Sequence, residues 1–86
     1  MNKDVTLIED ENNCQVVQVA GRRYPGVVVQ GDSLSALVGL ASEISRLLDV
    51  HDIGEAKNVA SELHGLLEAR LQVYRNALHR IEQKER

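Results

Sequence analysis

The residues with the most chemical potential in this chain stand close together, in GRRYPGVVVQGDS from Gly21 to Ser33. Arg22 and Arg23 are adjacent guanidiniums, the side chain whose planar fork matches phosphate oxygens in bidentate fashion. Tyr24, one of only two aromatic residues in the chain, adds a flat face and a directional hydroxyl. Pro25 and Gly26 supply turn geometry. Past the valine run, Gln30, Gly31, Asp32 and Ser33 read as the entry to a helix, with Asp32 or Ser33 as its N-cap. The first-turn N–H groups and positive dipole end of a helix favour anions, and Gly31 would let a phosphate come close to that backbone. The Asp32 carboxylate repels an anion and suits a ribose hydroxyl or a base N–H instead. The chemistry these residues point to is binding of a small phosphorylated or nucleotide-like ligand.

Each piece also has a plain structural use. The glycines permit turns, the arginines keep a hairpin tip soluble, and Asp-Ser caps a helix. Distance sets a further condition. The arginine turn and the helix entry sit at opposite ends of one strand, roughly 20 Å apart for six or seven residues. They would meet around a small ligand across a symmetric interface between copies of the chain, not within one copy. The stretch matches neither a Walker-type loop nor a dinucleotide fingerprint.

Other reactive residues do not assemble. His64 and Glu68 lie one helical turn apart, but no third ligand has suitable spacing, and His51 and His79 are not placed to help. Ser33 lacks a nucleophile-elbow context. Asp49, Asp52 and Glu55 crowd one turn without the alternating pattern of a calcium loop. The expectation is therefore no catalytic residues, no metal site and no cofactor. Arg70 reads as a side chain snorkelling at the edge of a helical stripe.

The elements that must position these residues follow from pattern. With 86 residues, the chain is long enough for one domain, 1–86, whose core must come from Val, Leu, Ile and Ala because Phe and Trp are absent. DVTLIED alternates, with Val5 and Leu7 on one face; ENN is turn chemistry; CQVVQVA and YPGVVVQ are β-branched. Residues 1–30 thus form a three-stranded antiparallel meander, with Pro25 at a strand start or on an edge. Apolar residues then recur at helical spacing from Leu34 to Leu48, predicting a first helix over 32–50. Asp52 followed by Glu55 resembles a capping box opening a long second helix over 52–82. On that helix Ile53, Ala60, Leu67, Tyr74 and Ile81 fall seven apart. The fold class is α+β: a βββαα order with two antiparallel helices on one face. The second half of the long helix exceeds what the shorter helix and the sheet can cover, which predicts a homo-oligomer.

Composition narrows the setting. Cys14 is the only cysteine, so no disulfide forms within one chain; it reads as a buried structural thiol in a reducing compartment. A formal net charge of −3 argues against general nucleic-acid binding. No uninterrupted apolar segment is long enough for a membrane span or a signal-peptide core, so a soluble, cytoplasmic protein is expected.

The string GRRYPGVVVQGDSL, residues 21–34, followed by two helices, resembles a small bacterial domain family of unknown function. Its pattern is Gly-Arg-Arg, an aromatic, Pro-Gly, an aliphatic run and Gln-Gly-Asp-Ser/Thr-Leu. The likeness continues loosely through GEAKNVASELHGLLEARLQVY but not into HRIEQKER. The resemblance marks residues 21–34 as the family's signature and implies no activity. The leading expectation is a non-catalytic binder of a nucleotide-like ligand at a homo-oligomer interface. Phage proteins that sponge up nucleotide immune signals, in anti-defence, offer an analogy of class. The alternative is a protein-interaction module, such as a toxin-immunity or regulatory protein.

Overall fold

In the computed structural model, which describes residues 5–11 and 14–84, the β-branched first third of the chain forms strands and the rest forms helices. The elements run β1 (Val5–Glu11), β2 (Cys14–Val19), β3 (Gly26–Val28), α1 (Gly31–Asp49) and α2 (Ile53–Lys84). The strands make one antiparallel sheet in the order β1-β2-β3, the expected meander, and the fold is α+β. The hairpin turn expected at residues 12 and 13 lies outside the described residues. The chain divides into two compact units, Met1–Val29 with Ala69–Arg86 and Gln30–Glu68, and α2 contributes to both.

In the first unit, alternation along β2 turns Cys14 and Val16 to one face, where both are fully buried against Val73 and Ala77 of α2, with Ile8 and Tyr74 packed around them. Small and β-branched residues suit this seam, since each buried methylene contributes about 0.8 kcal/mol only if no void is left. Val5 and Leu7 do share a face, but it is the open one. A register shift between the Leu7–Val17 and Glu9–Val16 pairs makes Ile8 an extra residue in β1, and Ile8 joins the core.

Coverage of α2 departs from the heptad expectation. Its second half is well covered, because Val73 and Ala77 lie under the sheet, whereas Ile53 and Leu67 of the seven-residue row are about half exposed. A row spaced by seven turns about 20° per heptad on a helix of 3.6 residues per turn, so its members cannot all keep one environment. Within one chain, the sheet already covers the Val73 and Ala77 face of the second half of α2.

In the second unit, Leu37, Leu47 and Ala56 are buried. α1 begins earlier than the capping pattern suggests. Its N-cap is Gln30, without a side-chain cap, and the Leu34 N–H donates to the Gln30 carbonyl at 2.9 Å. Asp32 sits inside the first turn, where its Oδ1 accepts the neighbouring Ser33 N–H at 2.8 Å, so neither Asp32 nor Ser33 is the cap. An acidic side chain there still offsets the positive dipole end.

The other end of α1 closes on His51, whose φ of 60° is left-handed and costs a non-glycine residue about 1 kcal/mol or more. The Asp52 N–H donates to the Leu47 carbonyl at 2.9 Å and the His51 N–H to the Leu48 carbonyl at 3.1 Å, the two bonds of a Schellman motif. Asp52 then starts α2: its Oδ1 accepts the Glu55 N–H at 3.2 Å. The expected capping box is therefore half formed. The Asp52 amide is already committed to Leu47, and the Glu55 carboxylate accepts from Asn58 Nδ2 at 3.5 Å instead of reaching back.

Two substitutions test this turn by thermal or urea unfolding. His51→Gly relieves the left-handed strain and is expected to stabilise the chain by about 1 kcal/mol. Asp52→Ala removes the cap and is expected to cost about 1 kcal/mol. A neutral or destabilising His51→Gly would show that the turn carries no strain.

Candidate functional site

β2 leads into a tight turn that positions the arginines. The Arg22 N–H donates to the Val19 carbonyl at 3.1 Å, and Gly21, third of the four turn residues, has φ 83°, as a type II turn requires. The turn is also held from the side: Gln18 Nε2 donates to the Arg22 carbonyl at 2.9 Å. Both contacts use backbone groups of Arg22, which leaves its guanidinium outside them.

Arg22, Arg23, Tyr24 and Pro25 line one open groove of about 640 Å³ together with Thr6, Ile8, Gln18, Leu78, Ile81 and Glu82. Ile8, Pro25, Leu78 and Ile81 give it an apolar wall; Thr6, Gln18 and Glu82 supply hydrogen-bonding groups. Tyr24 is 60 % exposed and carries the Arg23 guanidinium 5.3 Å from its ring centroid, a cation–π contact. One ring face is therefore engaged by the chain itself. Among the described residues neither Arg22 nor Arg23 forms an ion pair, unlike Arg46, which pairs with Glu43.

All the groove residues belong to the first unit, and of the stretch from Gly21 to Ser33 only Arg22 to Pro25 line it. Gly26 opens β3, while Gln30, Gly31, Asp32 and Ser33 belong to the second unit, at the start of α1. A Cβ at Gly26 or Gly31 would meet nothing within 4 Å, so internal packing does not demand glycine at either position. Sequence reasoning did not place Thr6, Ile8, Gln18, Leu78, Ile81 or Glu82 at this site. Leu78 and Ile81 carried a signal as members of the apolar stripe of the second helix; the rest carried none, because a turn and a helix distant in sequence meet only in the folded unit.

The remaining reactive groups stay apart. Cys14 is fully buried as a free thiol. Burial pushes its pKa above 9.0, with the positive charge of Arg70 acting weakly the other way. His64 Nε2 and Glu68 Oε1 are 3.6 Å apart on an exposed helix face. Among the described residues no group of three His, Cys, Asp or Glu side chains is arranged to hold a metal ion, and no helix is long and apolar enough to cross a membrane.

A domain of three antiparallel strands and two helices, with an arginine-lined groove beside the sheet, is the class of protein these features define. The chain belongs to a family of unknown function, DUF6959, whose model matches residues 1–85. No curated protein and no solved structure matches the chain.

The Cys14 thiol gives a prediction with a definite sign. The unfolded thiol ionises before the buried one, so the stability it contributes is complete below 9.0 and is lost as pH rises through the raised folded value. Native protein is expected to resist a thiol reagent at pH 8 and to react once unfolded. Cys14→Ala should flatten the alkaline limb of the stability profile. Rapid labelling of the native protein would contradict this.

Proposed function

We propose that this chain is a non-catalytic binding protein for a small phosphorylated or nucleotide-like ligand held in the groove beside Arg22 and Arg23. The observation that carries this reading is two guanidiniums without carboxylate partners among the described residues, at a groove with an apolar wall. Its volume of about 640 Å³ lies within the range of small-molecule sites. The guanidiniums suit phosphate oxygens, and the apolar wall with the open face of Tyr24 suits a flat base. Glu82 and Gln18 Oε1 can accept from a base N–H or a ribose hydroxyl, the role the sequence suggested for Asp32. Because the groove lies within one unit, the reading does not need a symmetric interface. Sequestration of nucleotide signals and a cytoplasmic setting are uses that such a binder would fit.

The test is a thermal-shift and calorimetric screen against nucleotides, cyclic dinucleotides and ADP-ribose derivatives. A ligand present at 100 times its Kd is expected to add roughly 2.7 kcal/mol of stability. Arg22→Ala and Arg23→Ala should each weaken binding by roughly tenfold or more while leaving the melting temperature of the free protein unchanged. Asp32→Asn should not change affinity. Loss of binding in Asp32→Asn would move the site to the helix entry, and no shift with any ligand would overturn the reading.

A second reading, a protein-interaction module of the toxin-immunity or regulatory kind, draws on apolar side chains left exposed on α1 and early α2, among them Leu34, Val38 and Ile53. It predicts a protein partner and indifference to nucleotides.

A further inference from the structure

The hydrogen-bonding groups of the groove divide by role. Arg22 and Arg23, on the turn after β2, can only donate. Glu82, near the end of α2, is the carboxylate among the lining residues, and an ionised carboxylate can only accept. Gln18 on β2 is oriented by the turn itself. Its Nε2 donates to the Arg22 carbonyl at 2.9 Å and lies 3.4 Å from the Val19 carbonyl. Only the NH2 end of the amide can meet two carbonyls, so Oε1 is left as an acceptor. Thr6 stands opposite Gln18 in the β1–β2 register, and its hydroxyl adapts to either role. Among the described residues neither arginine pairs with Glu82, so the charges at the groove are not spent on each other.

We infer that the ligand of this groove is a guanine nucleotide, whose base N1–H and N2–H2 groups donate to the Glu82 carboxylate. The inference rests on the nucleotide-binding reading above and narrows it to one base. The arginines take the phosphate, and Glu82 repels it, so the two charges orient the ligand with its base toward α2. What the base meets there are acceptors, Glu82 and Gln18 Oε1. Guanine alone among the common bases carries two adjacent N–H donors on its Watson–Crick edge, and they point the same way, as the two oxygens of a carboxylate do. Adenine and cytosine set an amino group beside a ring-nitrogen acceptor, and uracil sets one N–H between two carbonyls. Each of these turns an acceptor toward the carboxylate, which leaves a desolvated oxygen without a donor. The apolar wall of Ile8, Pro25, Leu78 and Ile81, with the open face of Tyr24, favours the larger flat area of a purine.

The test is titration calorimetry with the monophosphates and triphosphates of guanosine, inosine, adenosine, cytidine and uridine. Inosine has the guanine ring system without the N2 amino group, so it isolates the second donor. The guanosine nucleotide is expected to bind roughly tenfold or more tightly than the inosine and adenosine nucleotides of the same phosphate number. Glu82→Gln exchanges one acceptor oxygen for a donor and should lower guanosine nucleotide affinity far more than adenosine nucleotide affinity. Glu82→Ala should do the same, and both variants should keep the melting temperature of the free protein, because Glu82 is exposed. Binding without base preference, or a preference for another base, would overturn the inference and leave the nucleotide-binding reading standing. A guanine preference that survives both Glu82 variants would also overturn it. L-arginine presents a similar pair of N–H donors on a cation, and tighter binding of L-arginine than of any guanosine nucleotide would do so as well. If no nucleotide binds, the broader reading fails and this inference with it.

Discussion

The contact on which the first unit depends is the seam of Cys14 and Val16 against Val73 and Ala77. A chain without Phe or Trp cannot anchor a helix to a sheet with one large side chain, so it does so by close approach of small ones. Four residues without long side chains let α2 sit down on β2, and Tyr74 and Ile8 seal the edges. That placement has a chemical consequence. Over the five residues after Ala77, α2 brings Leu78, Ile81 and Glu82 to the same groove as the turn after β2. The packing that stabilises the unit also builds the wall opposite the arginines.

Backbone economy at two turns sets what the side chains are free to do. At Val19 to Arg22, the left-handed Gly21 and the Gln18 amide satisfy the turn without using either guanidinium. Between the helices, Asp52 serves both elements, its amide closing α1 and its carboxylate opening α2. The cost of the second arrangement is His51 in a conformation glycine would adopt without strain. In both places hydrogen-bond bookkeeping explains a residue that hydrophobic pattern leaves unexplained.

Much of the architecture was legible in the residue pattern. Alternation and β-branching marked the strands, periodicity of three and four marked the helices, and Asp52 was recognisable as a cap. The departures have local causes. A single extra residue at Ile8 exchanged which side chain of β1 reaches the core. α1 started at Gly31 because Gln30 could already provide the first helical acceptor, so the Asp-Ser pair was not needed as a cap. The seven-residue row on α2 is real in sequence, but a helix with 3.6 residues per turn rotates it out of one environment and into another.

The chemistry of the candidate site divides the same way. Sequence by itself determined that two arginines, a tyrosine and a Pro-Gly would sit together on a turn, because neighbours in the chain are neighbours in space. Only the tertiary structure decided that they face Leu78, Ile81 and Glu82, more than fifty residues later in the chain. It likewise decided that Gln30 to Ser33, although adjacent in sequence to β3, belong to the other unit. The reason is physical: local order follows from propensity and hydrogen bonds along the chain, whereas a groove exists only between surfaces that burial has brought together.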